Sequence, residues 1–187
     1  MSRADALRQA RERMEKVRAE IYAAVAGRTD AELLCPPLDG GWSAAEVLDH
    51  IGVAERSLVK ALTKHEKGEP TRVPRYAWLY RLPIAPAFWR IKFKAPKLVR
   101  PRPRSEVKPA EVLEGLKATR AALLAIADRM GEERFAGMVF PHFILGRFNG
   151  VTWFHFIGSH ETRHLAQIRR VLAGPKVLRC SGHAARA

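Results

Sequence analysis

The 187-residue chain has two cysteines, Cys35 and Cys180, too few for a disulfide-built scaffold, and neither belongs to a C-x-x-C pair that could hold a metal. Such scarcity fits a reducing cytoplasm, the compartment expected for the protein. Acids are also scarce, 19 against 33 lysines and arginines, which leaves a formal net charge of +14. That excess points to an anionic partner: a nucleic acid, an acidic membrane surface or an acidic small molecule. No run approaches the ~18 uninterrupted apolar residues of a membrane span. The start, MSRADALRQARERMEK, lacks the apolar stretch of a signal peptide, so a soluble chain is expected. Strand-like alternation of useful length and internal repeats are both missing.

What is present is helical periodicity. Leu7, Ala10, Met14, Val17, Ile21 and Val25 recur at spacings of three and four, one stripe of a helix over about 4–26 that stops at Gly27. Thr29 and Glu32 form a capping box before the Pro36-Pro37 and Gly40-Gly41 breaks, and Ser43 and Glu46 repeat that signature at the head of a second helix, about 44–67. A third opens at Pro109, with Val112, Leu113, Leu116, Leu123, Ile126 and Met130 as its stripe and Gly131 as its stop; a fourth runs from about 150 to 173, before Gly174-Pro175. Four stripes that can be buried only against one another predict an all-α fold, a four-helix bundle forming a single domain over 1–187.

Residues 68–105 stand apart. They hold ten basic groups, one acid, seven of the twelve prolines and six of the fifteen aromatics. The segment reads as an insert between the second and third helices. It could be a proline-braced cap whose aromatics pack on the bundle, a surface for an anionic membrane, or a nucleic-acid surface. The tail over 176–187 is short, basic and expected to fray.

The histidines carry the chemistry. His160 and His164, at i and i+4, present both imidazoles on one helical face, in a stripe shared with Trp153, Phe156, Gln167 and Val171 that should point inward. Two imidazoles buried together need partners or a metal. His160-Glu161-Thr162-Arg163-His164 also matches H-E-x-x-H, in which zinc proteases use the glutamate as general base. The match fails downstream, since no acid follows Glu161 and the one later histidine is His183 in the tail. Glu161→Gln is therefore expected to leave small-molecule activity intact. A third ligand must come from upstream, and His50 lies in the stripe of Val47, Val53, Ala54 and Ser57. His142 sits in an expected loop, and His155 is roughly 140° around the helix from His160.

Gly41-Trp42-Ser43-Ala44-Ala45-Glu46-Val47-Leu48-Asp49-His50-Ile51 resembles the W-S-x-x-E-x-L-x-H-L segment of the DinB-like superfamily, and His160-x-x-x-His164-x-x-Gln167-Ile168 resembles its later H-x-x-x-H-x-x-Q-I segment. The resemblance implies a four-helix bundle with a three-histidine divalent metal site on His50, His160 and His164. Members of that superfamily include S-transferases using bacillithiol or mycothiol and a mycothiol-dependent maleylpyruvate isomerase. The insert departs from the family pattern.

Three neutral imidazoles leave a metal with open positions, able to lower the pKa of water or hold a thiol as thiolate, and zinc, nickel and iron(II) all accept such a set. The expected cofactors are thus a divalent metal and a low-molecular-weight thiol, with Arg163, Trp153 and His142 contacting a small-molecule substrate. Arg147 is a further candidate for the anionic part of a thiol. A homodimer is compatible with the sequence. The competing function is a non-catalytic protein that applies its insert to an anionic membrane or nucleic acid, its histidines being structural.

Overall fold

The structure, a computed structural model, describes residues 2–66, 99–142 and 146–174. Most of the basic insert and the tail, with the roles expected of them, lie outside the described residues. Helix α1 spans Arg3–Val25, α2 Asp30–Leu34, α3 Ala44–Glu66, α4 Pro109–Met130, α5 Glu132–Gly137 and α6 Gly150–Leu172. The four helices read from apolar spacing are α1, α3, α4 and α6, each end within one residue of its expected place. They form the bundle, α1 packing chiefly along α6 and α3 along α4.

Local chemistry sets the ends. Ser2 and Asp5 cap α1 reciprocally, as Thr29 and Glu32 cap α2. On α3 the Ser43 amide donates to Glu46 Oε2 at 2.9 Å while the Glu46 amide donates to Ser43 Oγ at 3.3 Å. Each box satisfies amides that a helix start leaves without intrahelical acceptors. Gly27 and Gly131 take φ of +71° and +81°, the left-handed region that an L side chain resists, and so end α1 and α4.

Three elements escaped the periodicity reading. After Gly131 comes the short α5, and then β1 (Val139–His142) pairs antiparallel with β2 (Gly146–Asn149), Phe140 opposite Phe148. Pro141 inside a four-residue run hid the strand, because proline in such a run normally argues against one. His142, expected in a loop, lies on β1 opposite Gly146. A Cβ at Gly150 would stand 2.1 Å from the Phe135 carbonyl oxygen, so α5 can rest on the start of α6 only because residue 150 has no side chain.

The core falls into two apolar halves. One is built around Ile21, Leu48, Ile51, Leu116, Leu165 and Ile168, the other around Met14, Leu58, Leu123, Phe135, Phe154 and Ile157. Between them each bundle helix inserts one charged side chain: Arg18 from α1, Glu55 from α3, Arg120 from α4 and Glu161 from α6, all buried. Arg18 binds both carboxylates; Arg120 reaches Glu55 at 2.7 Å through Nε and Glu161 at 2.6 Å through Nη2. Arg18 Nη1 also donates to the Leu116 carbonyl at 3.1 Å. Two cations facing two anions make a neutral layer, which lets four charges remain in the interior.

Cys35, 3% exposed, is disulfide-bonded, so the compartment inferred from thiol scarcity gains no support from it. No helix among the described residues is long and apolar enough to cross a membrane.

Candidate metal centre

Helix α3 brings His50 and α6 brings His160 and His164 to one place. The potential ligand nitrogens of the three all lie within 4.8 Å of one another. His50 and His164 are buried and His160 is half-buried. His164 meets both other rings edge to face, His50 at 4.8 Å and His160 at 4.5 Å between centroids, while His50 and His160 are tilted at 5.3 Å.

Their outer nitrogens are engaged. His50 Nδ1 lies 2.5 Å from the Val99 carbonyl oxygen, and His164 Nδ1 lies 3.0 Å from Gln167 Oε1. Both partners are oxygen acceptors, so each Nδ1 carries a proton and each Nε2 keeps its lone pair. Histidine ligands are held in this way by partners behind the ring. Nε2 of His160 and Nε2 of His164 are 3.2 Å apart. Two nitrogens each ~2.05 Å from one ion lie ~2.9 Å apart at a right angle and ~3.3 Å apart at the tetrahedral angle. The observed separation falls between these, so the donor set fits a divalent ion. Nitrogens sharing an ion can be at most ~4.2 Å apart, so a pair at the 4.8 Å bound needs only a small ring movement to close on it.

Burial favours the uncharged form of His50 and His164. Desolvation lowers the pKa of His164 to about 4, helped by His50 and Arg163 and opposed by the hydrogen bond with Gln167. Desolvation also lowers that of His50, against the hydrogen bond to Val99 and the charge of Asp49. Two aromatic side chains wall the cluster: Trp42, 5.1 Å from His50, and Phe156, stacked at 5.8 Å on His160.

The profile of the DinB superfamily matches residues 13–168, most of the chain. The protein belongs to the DinB superfamily. It is 29% identical over 157 residues to the uncharacterised protein YuaE of Bacillus subtilis (strain 168), an alignment covering 83% of this chain and 93% of that one. The crystal structure of TT2238, a four-helix bundle protein, superposes with a TM-score of 0.56 at 21% identity, covering 88% of this chain and 98% of that one, and so shares the fold.

In this DinB-superfamily bundle the other expected site residues take varied positions. Trp153 is buried under the hairpin, stacked at 4.8 Å on Phe140 and donating from Nε1 to the Phe140 carbonyl at 3.4 Å. It meets Phe156 edge-on, and Phe156 in turn stacks on His160. Arg163 is exposed on α6 beside His164, Arg147 is exposed on β2, and His155 is exposed as its angular offset implied. Glu161 turns into the charged layer, where burial raises its pKa against the pull of Arg18 and Arg120.

Residues 99–104 were missed by sequence reasoning. Assigned to a separable insert, they lie instead along the first turns of α3: Arg102 binds Asp49, Arg104 binds Glu46 at 2.8 Å, and Val99 is buried against His50. Residues 99–104, the last part of the expected insert, thus pack on the bundle. The available signal was the pairing of arginines at 102 and 104 with acids at 46 and 49, which no helical period reveals.

Proposed function

We propose that the protein binds one divalent metal ion through His50, His160 and His164 and acts as a metal-dependent enzyme on a small molecule, with transfer of a low-molecular-weight thiol as its reaction. The observation that carries the reading is the convergence of three imidazoles, two of them with Nδ1 tied to an oxygen acceptor so that Nε2 is left bare. An ion held by three such nitrogens retains open positions and supplies a Lewis acid that keeps a thiol deprotonated near neutral pH.

The chain's own residues would do the rest. His50 and His164 hold their tautomers through Val99 and Gln167, so no proton must leave them when a ligand binds. Trp42 and Phe156 exclude water from two sides and offer ring faces to an apolar substrate portion. Arg163, exposed one residue before His164, is placed for the anionic part of a thiol cofactor. Glu161, engaged with two arginines, is not the base of a peptidase.

Elemental analysis after gentle purification tests the metal. A near-stoichiometric divalent ion is expected in the parent protein and close to none in His50→Ala, His160→Ala or His164→Ala. Full occupancy in folded His50→Ala would remove α3 from the site and overturn the three-ligand assignment.

A further inference from the structure

We infer that residues 99–104 form a strap that fixes the ring orientation and tautomer of His50, with the Asp49–Arg102 pair as its anchor; only the consequence for affinity rests on the metal reading above.

Three contacts run in register, antiparallel to the start of α3. The Val99 carbonyl accepts from His50 Nδ1 at 2.5 Å. Asp49 takes three hydrogen bonds from Arg102: the backbone amide to Oδ2 at 2.8 Å, and Nε and Nη2 to Oδ1 at 3.2 and 2.9 Å. Arg104 Nε donates to Glu46 Oε2 at 2.8 Å, and its Nη2 lies 3.4 Å from the Gly41 carbonyl. Asp49 is 1% exposed and so relies on protein donors. Fork-shaped pairing of a guanidinium with a carboxylate fixes direction as well as distance. Pro101 and Pro103, on either side of Arg102, lock their own φ and leave the strap few alternative shapes.

The placement has a chemical consequence. A carbonyl oxygen can only accept, so the strap requires the His50 proton on Nδ1 and leaves Nε2 bare toward His160 and His164. Without it His50 could populate either tautomer, and a fraction of molecules would present a protonated Nε2 to the cluster. Arg102 touches neither the imidazoles nor the space between them; it is a positioning residue acting through Asp49 and Val99.

Histidine side-chain nitrogens of the full-length, metal-free protein, labelled with nitrogen-15, report the tautomer directly by NMR near pH 7.5. The parent protein and an Arg13→Gln control, an exposed arginine on α1, should show His50 wholly in the Nδ1-protonated form, and Arg102→Gln a mixture of tautomers. Arg102→Lys, which keeps the charge and loses the fork, should fall between them. Pro101→Gly/Pro103→Gly loosens the strap without unpairing a buried charge and should also give a mixture, which keeps the test open if Arg102→Gln does not fold. In a zinc titration the mixed-tautomer variants should bind about 10- to 100-fold more weakly, the usual effect of losing a partner behind a ligand. A folded Arg102→Gln or double-glycine variant with His50 still wholly Nδ1-protonated overturns the strap. A parent protein that takes up no zinc, while its His50 tautomer still depends on Arg102, overturns the metal reading and leaves the strap standing.

Discussion

Arg120 donates from Nη2 to the Glu161 carboxylate at 2.6 Å, which holds the acid of the H-E-x-x-H string in the charged layer although its neighbour His160 stands in the imidazole cluster. Successive residues on a helix point about 100° apart, so membership of one string does not place two side chains in one site. The string spells a protease motif and the bundle divides it between a charged packing layer and the imidazole cluster.

Glu161 therefore has a structural role, which the expectation from sequence, concerned with activity alone, did not include. Glu161→Gln should leave activity per folded molecule largely intact, but it removes one of two anions facing two buried arginines. Breaking a buried ion pair on one side typically costs about 3 to 5 kcal/mol. For a chain of this size, a loss of about 3 kcal/mol lowers Tm by roughly 6 to 12 °C. Calorimetry of the metal-free proteins decides the matter. A variant that melts with the parent while its activity disappears would return Glu161 to the chemistry.

Apolar spacing located the four bundle helices because their stripes are long and their stops are unambiguous glycines. It failed inside those stripes. The stripe of α4 skips from Leu116 to Leu123, and the residue in the gap is Arg120; Arg18, Glu55 and Glu161 occupy the same kind of position on the other helices. A charged residue one turn from an apolar neighbour on each side was there to be read. Its meaning depends on opposite signs meeting across four helices, a relation of tertiary structure. His50, His160 and His164 were legible because each lies on an inward stripe, whereas the strap lies in no periodic segment.

Acid should weaken the metal-free protein through its histidines. The His164 pKa falls to about 4 in the folded protein, against an unfolded value of about 6.5. Between those values the unfolded chain binds the proton more tightly. The stability associated with His164 is thus fully present above pH 6.5 and is lost as pH falls through 4; His50 shifts in the same direction. His164 alone should account for about 3 kcal/mol over that window. Urea unfolding from pH 7 to pH 4 should show the decline, and His164→Gln should flatten it. An identical slope in that variant would mean the imidazole titrates normally when folded.

Gly150→Ala tests the seat of α5. The added methyl meets the Phe135 backbone oxygen, which cannot move aside as a flexible side chain can. A loss of about 3 kcal/mol is expected, at the upper end of the usual range for overpacking. Gly158→Ala, whose Cβ would lie 3.4 Å from Met14 Cα, makes an ordinary van der Waals contact and should be far milder. Equal melting temperatures for the two variants would contradict this close approach.

The strap also redraws which part of the insert can be removed. Replacing 68–105 by a linker takes away the Val99 carbonyl and Arg102, so metal affinity should fall even if the helices survive. Replacing only 67–98 leaves every contact of the strap in place. The linker must then reach from the end of α3 at Glu66 back to the level of His50, which at 1.5 Å per residue is ~24 Å. A glycine-serine chain spans 5 to 6 Å times the square root of its length, so about 16 to 23 residues are needed. Lengthening a loop on this scale costs little closure entropy. The shorter deletion should therefore match the parent in helical content and zinc affinity, and the longer one should bind zinc at least about ten-fold more weakly. Equal affinity in both would show that His50 is held without residues 99–104. Unfolding of the shorter deletion would show that the bundle core depends on residues within 67–98.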